Sequence, residues 1–129
     1  MALDLSNLDG DVLAFLAERH LATLTTLRAD GTPHVVPVGF GYDSEERVAR
    51  IITFGTSQKV RNVGDGGRAV LAQVDGGRWL SLEGEARVVR DADGVARAVD
   101  AYAARYGQPG ENDGRVAIEV SVTRMMGRG

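Results

Sequence analysis

The chain has 129 residues, a formal net charge of -3 at pH 7, two histidines (His20 and His34) and no cysteine. That length suits one domain, residues 1–129, with a core able to stand without staples, and the missing cysteines exclude disulfides, thiolate metal centres and thiol nucleophiles. A pI near 5.3, with no leader peptide and no apolar run of ~20 residues, disfavours nucleic-acid and membrane partners and predicts a soluble cytoplasmic protein.

The first periodic stretch, 8–19, places Leu8, Val12, Phe15 and Leu16 on one helical face, with Ser6 and Asp9 as a capping pair at its start. Short β-type runs follow. Residues 20–28 are rich in leucine and threonine, and Ala29-Asp30-Gly31-Thr32 predicts a hairpin turn into a second strand, 34–42, in which Pro37 marks an edge. A third strand spans 47–54 and a short helix 57–63; two more strands, 68–74 and 79–90, are joined by Asp75-Gly76-Gly77. A longer helix covers 94–106, with Val95, Ala98, Val99, Tyr102 and Tyr106 on one face and Gly107 as its stop. The last strand, 115–125, alternates: Val116, Ile118, Val120 and Val122 point one way, Arg115, Glu119, Ser121 and Thr123 the other. Six strands joined by consecutive hairpins, without a βαβ rhythm, predict a mainly β fold: an antiparallel barrel with peripheral helices.

The familiar signatures of catalysis are missing. The chain has no Gly-x-x-x-x-Gly-Lys-Ser/Thr loop, no Gly-x-Ser-x-Gly elbow and no His-Glu-x-x-His, and Gly64-Asp65-Gly66-Gly67 and Gly76-Gly77 read as turns. Three segments stand out. In Thr53-Phe54-Gly55-Thr56-Ser57-Gln58-Lys59-Val60-Arg61-Asn62, a strand ends in small residues and a helix begins with a lysine in its first turn, against the preference of the helix dipole. Exposed amides, two hydroxyls and an ammonium suit an anion there; the alternative is Ser57 as a cap and Lys59 as a solvated side chain. Lys59 is the single lysine beside fourteen arginines. Either base composition favours arginine, or a compact ammonium does something here that a planar guanidinium cannot.

The second segment is His34-Val35-Val36-Pro37-Val38-Gly39-Phe40. Proline and glycine inside a strand free backbone groups that can read a flat heteroaromatic ring, or they mark a bulged edge. The third runs from Gln73 to Gly84, where Trp79, the sole tryptophan, follows Arg78 at a strand start. A core or interface role is the alternative for Trp79.

These stretches, HLATLTTLRADGTPHVVPVGF, TFGTSQKVRN and QVDGGRWLSLEGEARV, together resemble the split β-barrel flavin and deazaflavin oxidoreductases, the pyridoxamine 5′-phosphate oxidase-like family, over residues 8–125. Among its branches they are most similar to the B-type enzymes that use the deazaflavin coenzyme F420, and within those to biliverdin reductases. The resemblance implies a six-stranded antiparallel split barrel and a homodimer with two cofactor sites at the subunit interface. It implies that Val36, Pro37, Val38 and Gly39 lie against the deazaflavin ring. It implies also that Thr53, Gly55, Thr56, Ser57, Gln58 and Lys59 hold the ribityl and phosphate portions, supported by Asn62. Gln73 and Trp79 would approach from neighbouring strands or the partner subunit, and Arg78 is a candidate for substrate contact. The implied reaction passes a hydride from reduced coenzyme F420 to a small conjugated acceptor, with the tetrapyrrole biliverdin as first choice, no metal, and no side chain marked as the proton donor.

The vitamin B6 oxidases of this family carry an Arg-Gln-Val-Arg-x-Glu-Gly run where this chain reads Arg78-Trp79-Leu80-Ser81-Leu82-Glu83-Gly84. Their C-terminal arginine and histidine also have no counterpart before Gly129, so oxidation of pyridoxamine phosphate is not expected. Two alternatives keep the fold: an FMN-dependent enzyme, and a flavin- or haem-binding protein without catalysis.

Overall fold

The computed structural model describes residues 2–129. Its elements in chain order are α1 (Gly10–Ala17), β1 (Ala22–Leu27), β2 (Pro33–Val38), β3 (Gly41–Asp43), β4 (Val48–Phe54), α2 (Gln58–Val63), β5 (Gly67–Asp75), β6 (Arg78–Val89), α3 (Ala92–Tyr106) and β7 (Arg115–Arg128). All strands pair antiparallel in one sheet of order β2-β1-β5-β6-β7-β4-β3. The two outermost strands, β2 and β3, are consecutive in the chain, with only Gly39 and Phe40 between them. Three Cα steps reach about 10 Å when extended, so the two sheet edges must curl round until they nearly meet. A barrel with a split follows.

The expected single strand over 34–42 is therefore corrected to two, and the count rises from six to seven. The cause is α3. A Cβ on Gly39 would lie 3.0 Å from the rings of Tyr102 and Tyr106, and one on Gly41 would lie 2.7 Å from the Ala101 Cβ. The chain passes beneath the helix where side chains are missing, leaving the partner of β1 and joining the partner of β4. Pro37 sits in β2, at a sheet edge, as expected of a residue that cannot donate to a ladder.

Inward residues of the sheet, among them Leu24, Ile51, Leu71, Leu82, Ile118 and Met125, form one core with Phe15 and Leu16 of α1 and Val60 and Val63 of α2. α3 lies outside, over β3, β4 and β7, and makes a second cluster in which Ala98 meets Val89, Ala117 and Ile52. This is why β7 does not alternate cleanly in burial. Ala117 faces outward yet is covered by α3, and the outward Glu119 is buried between Arg50 and Arg87, its cross-strand partners, at 3.3 and 2.6 Å. A register shift between Glu83 and Gly84 then turns Met125 inward.

The helix ends differ in part from expectation. Asp9 alone caps α1, accepting from the Val12 amide at 3.0 Å, while Ser6 bonds Asp4 instead. α3 starts at Ala92, capped by Asp91, and stops at Gly107, whose φ of 97° favours glycine. No helix among the described residues is long and apolar enough to cross a membrane.

Arg105, in the last turn of α3, is buried. Its guanidinium donates to the Glu18 carbonyl at 2.6 Å, the Phe40 carbonyl at 2.8 Å and Gln73 Oε1 at 2.9 Å, and stacks 4.8 Å over the Phe40 ring. Burial pushes its pKa below the ordinary arginine range. Removing it leaves three acceptors short of a partner, each costing about 1–3 kcal/mol if it stays dry. Arg105→Met is therefore expected to lower stability by about 3–4 kcal/mol in urea denaturation; a loss below about 1 kcal/mol would show that water replaces the guanidinium without penalty.

Candidate active site

The split in the barrel has two unpaired edges. β3 accompanies β4 only as far as the Gly41–Arg50 pair, so residues 51–54 have no partner on that side. β2 pairs with β1 and ends the sheet. Between these edges lies a cleft of about 320 Å³ lined by Pro37, Val38 and Gly39 on one side and Ile52, Thr53 and Phe54 on the other. Lys59, Tyr102, Pro109 and Arg115 complete its walls. Its volume is at the small end of ligand sites, and unpaired strand edges supply the backbone donors and acceptors that fix a planar heterocycle.

Lys59 is half-buried, and among the described residues no carboxylate lies within 4.0 Å of its ammonium. Burial lowers its pKa. A partly desolvated cation without a partner is uphill until an anion reaches it. α2 is only six residues long, so the charge at this place comes from the ammonium rather than from a helix dipole. Ser57 occupies the N-cap position without a capping hydrogen bond from its side chain; its hydroxyl lies 3.4 Å from that of Thr53.

Of the residues singled out in the sequence, Pro37, Val38, Gly39, Thr53 and Lys59 meet in this cleft, and Ser57 touches it through Thr53. Gln58 and Asn62 stand one step behind. Gln58 bonds Asn62 at 2.6 Å, and Asn62 bonds Thr26 of β1 at 3.0 Å, which fixes α2 to the barrel. The Thr56 carbonyl accepts from Arg61, and the Gly55 amide donates to the Gly114 carbonyl at 3.0 Å. Val36 packs against the core.

Three residues lie elsewhere. Gln73 is buried and held by the Phe15 carbonyl and Arg105. Trp79 is exposed at the end of β6 that pairs with Val74 and Arg128, far along the strand from the Gly67–Ala86 pair that follows α2. Arg78 is engaged by Glu18 through two bonds of 3.0 Å and by Asp75 at 2.6 Å, and it lies 4.5 Å over the Phe15 ring. Conversely, Ile52, Tyr102, Pro109 and Arg115 join the cleft although no sequence motif pointed to them, and Phe54 joins it from within the Thr53–Asn62 segment. α3 carries Tyr102, the loop after it Pro109 and the start of β7 Arg115, and only tertiary packing brings these to the split.

The pyridoxamine 5′-phosphate oxidase family model matches residues 8–128. A curated relative from Mycobacterium tuberculosis (strain CDC 1551 / Oshkosh), named F420H(2)-dependent biliverdin reductase, is 57% identical over 122 residues, spanning 95% of this chain and 89% of its own. A solved structure titled F420 Reductase superposes with a TM-score of 0.74 at 26% identity, over 93% of this chain and 98% of its own. A conserved hypothetical protein of Mycobacterium tuberculosis gives the same TM-score of 0.74 at 21% identity, over 95% of this chain and 84% of its own, which speaks for the fold alone. With the split barrel, the cleft between its free edges and a family match over nearly its whole length, this chain belongs to the pyridoxamine 5′-phosphate oxidase family.

Proposed function

We propose that this protein is a coenzyme F420-dependent oxidoreductase that delivers a hydride to a conjugated acceptor, with biliverdin as that acceptor and a homodimer as the working unit. One observation carries the reading: the chain's only lysine stands half-buried, without an acid partner among the described residues, on the wall of a cleft between two free sheet edges. The 57% identical relative named for coenzyme F420 and biliverdin supports the choice of both molecules.

The residues present fit a flat ring joined to a phosphate. Lys59 would hold the phosphate, with the Thr53 and Ser57 hydroxyls beside it. Pro37, Val38 and Gly39 would lie along the ring, where β2 has no strand partner. Coenzyme F420 bound in its reduced form would supply a hydride from C5 of the deazaflavin, with the accompanying proton taken from water. The chain's share is to orient and to dry the site. The Phe54, Tyr102 and Pro109 side chains wall the cleft, excluding water from the reacting face and holding the acceptor close to it.

The outer face of β2-β1-β5-β6 supports the homodimer. By register, Val35, Thr25 and Val70 lie side by side on it, with Val74 next to Trp79. Val35, Val74 and Trp79 are exposed there, Val74 at 71%. Apolar side chains this open on the outside of a sheet are suited to cover by a second chain. A second copy seated on this face would cover Trp79. Val35→Asp combined with Val74→Asp should therefore give a species near 13.7 kDa in sedimentation, where the unaltered chain gives twice that mass. An unaltered chain that sediments as a monomer with cofactor bound defeats the dimer.

The activity itself is tested anaerobically, with reduced coenzyme F420 offered alongside biliverdin, a quinone and an unsaturated lactone. Turnover of biliverdin is expected; tighter binding of FMN than of coenzyme F420 overturns the assignment. Lys59→Ala should weaken coenzyme F420 binding by roughly ten- to a hundredfold, the loss of one charge-assisted hydrogen bond of ~1.5–3 kcal/mol. Lys59→Arg should recover only part. Only the protonated lysine attracts the phosphate, and its pKa is lowered. Affinity should therefore fall as pH rises through that lowered value, and Lys59→Ala should flatten the profile. An alanine variant with unchanged affinity would place the phosphate elsewhere.

A further inference from the structure

Beside the cofactor cleft lies a second, of about 230 Å³, lined by Arg19, Leu21, Tyr102 and Tyr106. The two share Tyr102, so they are contiguous around its ring. Tyr102 and Tyr106 pack with ring centroids 4.8 Å apart and 37° between their planes. Tyr106 is a fixed wall: its hydroxyl donates to the His20 carbonyl at 2.6 Å and accepts from the Phe40 amide at 3.1 Å. Leu21 stands beside this aromatic pair with 64% of its surface exposed. A leucine that open, next to two rings and above no core, is a shelf for a flat apolar molecule.

The charge on this cleft is unspent. Among the described residues Arg19 forms no ion pair, and its neighbour Glu18 is already held by Arg78 and His20. No carboxylate lines the cleft. A rival groove, on the other side of the cofactor cleft, offers Arg90 and Arg115, but it also presents Asp100 and Asp113, which would repel an anion. Of these two grooves, only the one at Arg19 presents a cation without opposing acids.

We infer that the Arg19–Leu21–Tyr102 cleft is the acceptor's site, and that it takes a planar conjugated molecule bearing a carboxylate. The carboxylate pairs with Arg19, and the ring system lies over Leu21 and Tyr102 toward the cofactor cleft. The inference rests on the reductase reading above. A cleft of about 230 Å³ falls below the ~300–1,000 Å³ of sites that engulf a whole ligand. It therefore grips one end of a large acceptor and leaves the conjugated centre at Tyr102, where the two clefts join.

The test compares biliverdin, which has two propionates, with its dimethyl ester, which has none free. In Arg19→Gln the ratio of KM for biliverdin to KM for the diester should rise about tenfold, the loss of one charge-assisted bond at a half-open site. Arg19→Lys should restore part of that ratio. Leu21→Ser should weaken both acceptors alike and leave the ratio where it was. An Arg19→Gln protein that binds coenzyme F420 normally and keeps the unaltered ratio overturns the inference. The same ratio is also read without turnover, from the visible absorbance change when each pigment is titrated with protein. If neither pigment is reduced but the binding ratio still shifts in Arg19→Gln, the acceptor site stands and the reductase reading fails.

Discussion

The architecture turns on one buried cation. Arg105 leaves the last turn of α3 and meets no carboxylate; it meets the Glu18 carbonyl just past α1, the Phe40 carbonyl of the β2–β3 crossover and the Gln73 amide oxygen of β5. Burying a guanidinium is costly, and three short bonds, one from each of its nitrogens, with ring stacking on Phe40 offset that cost. Where α3 goes, the cleft follows. Holding the helix over the crossover presses Tyr102 against Gly39, breaks one strand into two and opens the split. The loop that leaves α3 then delivers Pro109 and Arg115 to its wall.

Arginine and lysine have separate work in this chain. Arg50 and Arg87 clasp Glu119 across three strands, Arg78 grips Glu18 with two parallel bonds, and Arg61 pins the loop before α2. These are fork-shaped tasks with fixed acceptors, which a planar guanidinium performs well. The Arg78 bonds, with a smaller one from His20, hold the Glu18 carboxyl at about 2. That clasp is complete at neutral pH and loosens only as the pH falls from the ordinary glutamate range toward that value. Lys59 differs from all of these. Among the described residues it has no ion-pair partner, and it faces the cleft.

Much of this was legible in the sequence, where local chemistry decides the outcome. Strand positions, the Asp-Gly turn and the stop at Gly107 follow from patterns that no distant contact overrides. Lys59 showed itself by being alone of its kind and on the wrong side of a helix dipole. The split of 34–42 was not legible, because the pairing partner changes at Gly39 and a strand's pattern does not say which neighbour it has. Ala117 and Glu119 were hidden for a related reason: polarity on a strand reads as exposure until a helix or an ion pair covers it. Arg105 read as an ordinary basic residue at a helix C-terminus. Gln73 is expected to approach the cofactor, and its place in the interior depends on Phe15 and Arg105, 58 and 32 residues away. Tyr102, Pro109 and Arg115 carry no local signature at all.

The strand order has a consequence for how the protein comes into being on the ribosome. β7, the last of the seven to be synthesised, lies between β6 and β4, and β4 touches the rest of the sheet only through it and the three-residue β3. Until β7 emerges, β6 has an unsealed edge, and β3 and β4 form a loop tied to the β2-β1-β5-β6 sheet only by the crossover at one end and α2 at the other. The structure cannot be completed piecemeal from the N-terminus; it snaps shut late, through contacts distant in sequence, which slows folding and prolongs the exposure of sticky strand edges. The split between β2 and β4 is thus the one seam that this last pairing leaves open.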